Sequence, residues 1–80
     1  MVVMIRAFIP PNEPIEDFRL GEPFELNLGE GVTLKELTQR IFSKNIGRIG
    51  VMAVNGKIAQ ENAVLLDGDR IDLYSLLEGG

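Results

Sequence analysis

Residues 50–76, GVMAVNGKIAQENAVLLDGDRIDLYSL, carry the turn signals and the apolar alternation that decide how this chain folds. Asn55-Gly56 is typical of a tight hairpin turn, because both residues accept a positive φ. We therefore predict a hairpin between a strand over residues 50–54 and a short return strand over residues 57–59.

A second turn follows at Asp67-Gly68-Asp69, and it leads into a last strand over residues 70–76. Two carboxylates around a glycine in a tight turn are expected to accept nearby backbone N–H groups, not to act as an acid–base pair. Ile71 and Leu73 are predicted to face the core. Successive side chains on a strand alternate between its two faces, so Tyr74 and Leu76 are predicted to face outward.

The N-terminal part of the chain predicts another hairpin. Residues 1–9 are β-branched and apolar on both faces, which favours a strand in the interior of a sheet, and Pro10 and Pro11 end it. Residues 12–23 form a long connecting loop. Phe24, Leu26 and Leu28 then alternate with polar residues, the pattern of a half-buried strand.

A single helix is predicted between the two hairpins. Thr33 and Glu36 have the spacing of a capping box, in which each side chain bonds the backbone N–H of the other. Leu34, Leu37 and Ile41 then fall on one face. We expect the helix to end near residues 44–45, because Asn tolerates the left-handed conformation that closes many helices.

The predicted order is strand, strand, helix, strand, short strand, strand. If the first and last strands are adjacent and parallel, the helix covers one face of a mixed sheet of four to five strands, which is an α+β fold. Periodicity alone does not separate this arrangement from other strand orders. A chain of 80 residues has room for one core.

The composition excludes several classes of function. The chain has no cysteine and no histidine, so thiol nucleophiles, imidazole bases and thiolate zinc sites are excluded. A net charge of −4 opposes nucleic-acid binding. Glu13, Glu16 and Asp17 lack the spacing of a calcium loop, so no metal site is predicted.

No apolar run could span a membrane and no signal peptide is evident, which predicts a cytoplasmic protein without a membrane partner.

Three segments together carry a family resemblance: Val54-Asn55-Gly56-Lys57, the stretch from Leu65 to Ile71, and the terminal Gly79-Gly80. Their order and spacing resemble the MoaD/ThiS-type sulfur carriers, which are ubiquitin-like proteins. These are the small subunit of molybdopterin synthase and the sulfur carrier of thiamine biosynthesis. The resemblance implies a β-grasp (ubiquitin-like) domain over residues 1–75 and a flexible C-terminal tail over residues 76–80.

The resemblance also implies a carrier, not an enzyme. The Gly80 carboxylate would be adenylated by a ubiquitin-activating-enzyme-like adenylyltransferase, which uses ATP, and then converted to a thiocarboxylate that donates sulfur in cofactor biosynthesis. Glu78 and Gly79 would belong to the tail that enters the partner, and the carrier itself would bind no cofactor. Five extended residues reach about 17 Å at most.

A partner-binding patch is predicted where the last strand meets the tail. Tyr74 and Leu76 face outward there, and Leu77 follows them; the alternative is that Leu76 and Leu77 complete the core. The sulfur-accepting partner would be a molybdopterin synthase large subunit or a thiazole synthase. The long first connection favours the molybdopterin pathway, whereas residues 75–78 lack the Pro-Pro pair typical of that branch.

Two other functions remain open from the sequence. A ubiquitin-like modifier would join Gly80 to a target lysine through an isopeptide bond, and a plain β-grasp interaction module would have an unreactive tail.

Overall fold

A mixed sheet of five strands carries one α-helix on one face in the computed structural model, which describes residues 1–76. The elements in chain order are β1 (Val2–Ala7), β2 (Pro23–Asn27), α1 (Leu34–Phe42), a 3₁₀ segment (Ser43–Arg48), β3 (Ile49–Val54), β4 (Lys57–Ile58) and β5 (Arg70–Ser75).

The strand order across the sheet is β2-β1-β5-β3-β4. β1 and β5 pair in parallel, with Ile5 opposite Ile71 and Ala7 opposite Leu73. The pairs β1–β2, β3–β5 and β3–β4 are antiparallel. The first and last strands are therefore neighbours in the middle of the sheet, which confirms the predicted β-grasp fold.

The core lies between α1 and the sheet face that α1 covers. Ile71 and Leu73 of β5, which were predicted to face the core, are fully buried, and so are the alternate residues Val3, Ile5 and Ala7 of β1. Leu34, Leu37 and Phe42 of α1 are also fully buried and pack into the same cluster. Ile41 is only half-buried, so Phe42, not Ile41, completes the apolar face of the helix.

The start of α1 follows the prediction, but its end does not. Thr33 Oγ1 accepts from the N–H of Glu36 at 3.2 Å, and the N–H of Thr33 donates to Glu36 Oε1 at 3.0 Å. The bonds that the Glu36 carboxylate accepts from the N–H and the hydroxyl of Thr33 lower the pKa of this carboxyl below its usual value. The α-helix ends at Phe42, and Asn45 has φ −122°, so Asn45 is not the left-handed residue that was expected there.

Asn12, from the long loop after β1, stabilises this end of the helix instead. Its Oδ1 accepts from the N–H of Lys44 at 2.8 Å, and its Nδ2 donates to Ser43 Oγ at 2.8 Å. The N–H of Asn12 donates to the carbonyl of Ile41 at 2.7 Å. The loop therefore supplies hydrogen bonds to backbone groups at the end of the helix, a role that a left-handed closing residue was expected to have.

Both predicted turns form, and side chains connect them. Asn55 and Gly56 have φ of 52° and 83°, as a tight hairpin turn requires. Asn55 Nδ2 donates to Asp69 Oδ1 at 2.9 Å, and Asp69 Oδ2 accepts from the N–H of Leu66 at 2.8 Å. Asp67 accepts instead from the N–H of Val2 at 2.7 Å, so it links this turn to β1 and is not the local acceptor that was predicted.

Replacing Leu37 with Ala tests the packing of the helix on the sheet. Leu37 is fully buried, so we expect Leu37→Ala to lower the free energy of unfolding by about 2–5 kcal/mol, from lost burial and from the cavity left behind. Urea denaturation measures this loss. Gln39→Ala, on the exposed side of α1, is the control. Equal stability of the two variants would contradict the packing.

Candidate docking face and tail root

The side of the sheet opposite α1 is the outer face. Its residues alternate along β1 and β5 with the buried ones, and the parallel register brings the two sets side by side. Val51 of β3 lies opposite Tyr74 and belongs to the same face. None of the helices in the described chain covers this face, and its residues include Met4, Arg6, Phe8, Val51, Asp72 and Tyr74.

Four of these side chains form one cluster, the Arg6 cluster, consisting of Arg6, Phe8, Asp72 and Tyr74. Arg6 Nε donates to Asp72 Oδ1 at 2.9 Å, and Arg6 Nη2 donates to the Tyr74 hydroxyl at 3.3 Å. The rings of Phe8 and Tyr74 stack with centroids 5.3 Å apart and planes inclined by 13°. The guanidinium carbon of Arg6 lies 5.7 Å from the centre of the Phe8 ring.

Arg6 connects the charged and aromatic parts of the cluster. The hydrogen bond to Asp72, with the attraction of that carboxylate and the bond to Tyr74, raises the pKa of Arg6 above its ordinary value. The Arg6–Asp72 pair is partly solvated, so its net contribution to stability is small. Its structural effect is to hold Tyr74 in one orientation, with one edge of the phenol bonded and one ring face stacked.

An open depression of about 410 Å³ lies on this face beside the Arg6 cluster. The side chains around it include Met4 and Tyr74, the Arg6–Asp72 pair and the exposed Arg70. It combines apolar surface with two guanidinium groups and a carboxylate. That mixture is suited to contacts with the polar and apolar side chains of a protein partner.

Leu76 lies at the root of the predicted tail, immediately after β5. Its N–H donates to the carbonyl of Arg48 at 2.8 Å, which continues the pairing with β3 by one residue. Leu76 is 63% exposed, so it does not complete the core. Together with Val51, which is 43% exposed, this leucine adds exposed apolar surface near the predicted tail. Leu77, Glu78, Gly79 and Gly80, which were singled out from the sequence, lie outside the described residues.

The structure brings together residues that the sequence analysis did not group. Tyr74 was predicted to face outward, but Arg6, Phe8 and Asp72 were not identified as its partners. The alternation of side chains along β1 puts Arg6 and Phe8 on the same face, and this was the signal from which their proximity could have been predicted. What the sequence lacked was the register between β1 and β5, which sets Arg6 directly opposite Asp72.

Other candidate sites are not assembled. Within residues 1–76, no group of three acidic residues is close enough to hold a metal ion, which includes Glu13, Glu16 and Asp17. Of the two helical segments described, neither is long and apolar enough to cross a membrane.

Central parallel strands, a single helix on one face and an open opposite face define a ubiquitin-like β-grasp protein. The sequence model of the ThiS family matches residues 16–80, and the chain belongs to that family. It is a small sulfur carrier of the MoaD/ThiS superfamily, whose members are non-catalytic and bind no cofactor themselves. No significant match was found among curated proteins.

Two solved structures are similar over the whole of both chains. One is a chain of the complex of subunits 1 and 2 of the molybdopterin-converting factor from Helicobacter pylori 26695, with 28% identity and a TM-score of 0.60. The other is SAMP1 from Haloferax volcanii, with 13% identity and a TM-score of 0.65. At 13% identity, the similarity to SAMP1 shows a shared fold and nothing more.

Substitutions of Tyr74 test the Arg6 cluster. Tyr74→Phe keeps the stacked ring and loses the bond from Arg6, and should lower the free energy of unfolding by about 1 kcal/mol or less. Tyr74→Ala also loses the stack and the buried ring area, and should cost at least about 1 kcal/mol more. Denaturant unfolding measures both. Equal losses for the two variants would show that the stack contributes nothing.

Proposed function

We propose that this protein carries sulfur as a thiocarboxylate on Gly80, and that molybdopterin biosynthesis for a molybdenum or tungsten cofactor uses this sulfur. The observation that carries the proposal is the family match, which runs through residue 80. Full-length similarity at 28% identity to a chain of the molybdopterin-converting factor complex supports the choice of pathway. The long connection between β1 and β2 agrees with it.

The chemistry requires activation of a poor electrophile. In the proposed first step, a Gly80 carboxylate oxygen attacks the α-phosphorus of ATP, which gives an acyl-adenylate and releases pyrophosphate. A sulfur donor at the oxidation level of hydrosulfide then attacks the acyl carbon, the C–O bond to AMP breaks, and AMP leaves with one of the original carboxylate oxygens. The product is the thiocarboxylate, and no oxidant or reductant is consumed.

The chain offers no other place for the sulfur. It contains no cysteine, so a persulfide on a side chain is excluded. We propose a division in which residues 1–75 are the domain that partners recognise and residues 76–80 are the tail that enters their active sites. Glu78 and Gly79 would then lie in the partner's channel, where glycine leaves room for close approach of the backbone.

Two partners follow from this proposal. The first is a ubiquitin-activating-enzyme-like adenylyltransferase, which supplies the ATP site. The second is the sulfur-accepting subunit of molybdopterin synthase, by analogy with the two-subunit complex of the similar Helicobacter pylori protein. We propose that both contact the outer face through Tyr74, Leu76 and Leu77. Exposed apolar side chains next to a reactive tail allow recognition and delivery to occur together.

A second candidate is the thiamine pathway, with thiazole synthase as the acceptor. The matching family is the one named ThiS, and residues 75–78 read Ser-Leu-Leu-Glu without a Pro-Pro pair. The carrier chemistry on Gly80 is the same in both pathways, so only the acceptor distinguishes them.

Mass spectrometry of the intact protein tests the carrier function. After incubation with ATP, an activating enzyme and a sulfide donor, we expect a mass increase equal to the exchange of one oxygen for one sulfur. The thiocarboxylated protein is then offered to a molybdopterin synthase large subunit and, separately, to a thiazole synthase, each with the precursor that accepts the sulfur. Loss of the added mass only with the first supports the proposed pathway. Covalent conjugates to other proteins would support a modifier instead.

Deleting Gly80, or replacing Gly79 with Trp, should abolish the mass increase while leaving the melting temperature almost unchanged, because none of the described core residues lies beyond Leu73. Thermal unfolding followed by circular dichroism is the control. A large loss of stability in either variant would show that the tail belongs to the folded domain.

Leu76 and Leu66 form a matched pair for testing the docking face. Both are leucines about two-thirds exposed, 63% and 66%, but Leu76 directly follows β5, whereas Leu66 precedes the turn that leads into β5. We expect Leu76→Asp to weaken binding to the activating enzyme at least about tenfold, as loss of a buried anchor does, and Leu66→Asp to leave it within about twofold. Calorimetric titration measures both. Equal effects would place the docking surface elsewhere.

A further inference from the structure

We propose that Gly50 is a positioning residue. By lacking a side chain, it lets the backbone of Leu76 pass close against β3, and this sets the direction in which the tail leaves the domain. The inference rests on the proposed function, in which that tail is delivered to a partner. It assigns a role to a residue far from Gly80 in the sequence.

The first observation is a break in the pairing between β3 and β5. Ile49 lies opposite Ser75, and Val51 lies opposite Tyr74, so Gly50 is an extra residue on β3 without a partner of its own. Such a bulge bends the strand that carries it and increases its twist. This one lies beside the last residues of β5, at the point where the tail begins.

The second observation is the space at Gly50. A Cβ built there would lie 3.1 Å from both the Cα and the N of Leu76, and 3.1 Å from its Cδ2. Contacts this short are rare for real Cβ atoms, so Leu76 would have to move by a few tenths of an ångström. The side chain could rotate away, but the backbone could yield only by shifting the chain.

The backbone conformation of Gly50 does not itself require glycine. Gly50 is not among the glycines with positive φ, and it is exposed to solvent. Among the residues that the structure describes, the close approach of Leu76 is the constraint that favours glycine over alanine at this position. The hydrogen bond from the N–H of Leu76 to the carbonyl of Arg48, at 2.8 Å, holds the chain in this position.

A shift of Leu76 moves the point from which the tail starts. In the proposed function residues 76–80 reach about 17 Å at most, so that starting point limits where the Gly80 carboxylate can be placed. Reacting groups tolerate only small displacements, since about 1 Å can cost about a hundredfold in rate. Gly50 takes no part in the bonds and ring contacts of the Arg6 cluster, and Leu76 keeps its side chain in a Gly50 variant, so we expect partner binding to weaken less than the rate of adenylation falls.

Gly50→Ala and Gly50→Val test the proposal, with Gly47→Ala as the matched control. Gly47 is also exposed, also lacks a positive φ, and has no atom within 4 Å of its Cβ position. Adenylation is measured by ATP–pyrophosphate exchange with the enzyme that activates the wild-type protein. We expect kcat to fall about tenfold or more for Gly50→Ala and further for Gly50→Val, with a smaller change in KM. Gly47→Ala should match the wild type.

Hydrogen exchange by NMR gives a second readout that needs no partner. The amide of Leu76 should exchange at least about tenfold faster in Gly50→Ala than in Gly47→Ala, while the amides of β1 keep their protection. The proposal is overturned if Gly50→Ala matches Gly47→Ala in kcat, if KM alone changes, or if the Leu76 amide is unaffected. A wild-type protein that is never thiocarboxylated would instead refute the proposed function, and the inference with it.

Discussion

The parallel pairing of β1 with β5 is the constraint on which the rest of the structure depends. It joins the two ends of the described chain in the middle of the sheet. Two further backbone bonds extend the pairing: the N–H of Met4 donates to the carbonyl of Asp69, and the N–H of Phe8 donates to the carbonyl of Leu73. Closing so long a loop costs conformational entropy. Burial of β-branched and leucine side chains on both strands offsets that cost, because those side chains lie under α1.

That pairing also places the candidate site. Because β1 and β5 run in the same direction, the outer-face residues of both strands lie in register, and Arg6 meets Asp72 and Tyr74. The end of β5 then lies beside β3, where Leu76 bonds to Arg48. The outer face and the tail root are continuous, so one partner surface could contact both. In the proposed function, the fold thus separates the surface that partners recognise from the group that reacts.

The sequence predicted well whatever depends on near neighbours. The Asn55-Gly56 turn and the Thr33–Glu36 capping box formed as expected, because each is a bond or a φ angle within four residues. Prediction from the sequence failed where the hydrogen-bond partner came from a distant segment of the chain. Asn12 bonds to the end of α1, and Asp67 bonds to Val2 across the chain. Neither Asn nor Asp carries a signal that names a partner so far away in sequence.

The sequence by itself determined most of the elements, the inward face of β5 and the family, because periodicity, turn chemistry and the order of the motifs are properties of local order along the chain. Only the tertiary structure decided which strands are neighbours, which outward side chains meet in the Arg6 cluster, and how closely Leu76 passes Gly50. The physical reason is that strand register and bulges arise from pairing between segments far apart in the chain. The alternation along a single strand does not fix them, because several registers bury the same face of that strand.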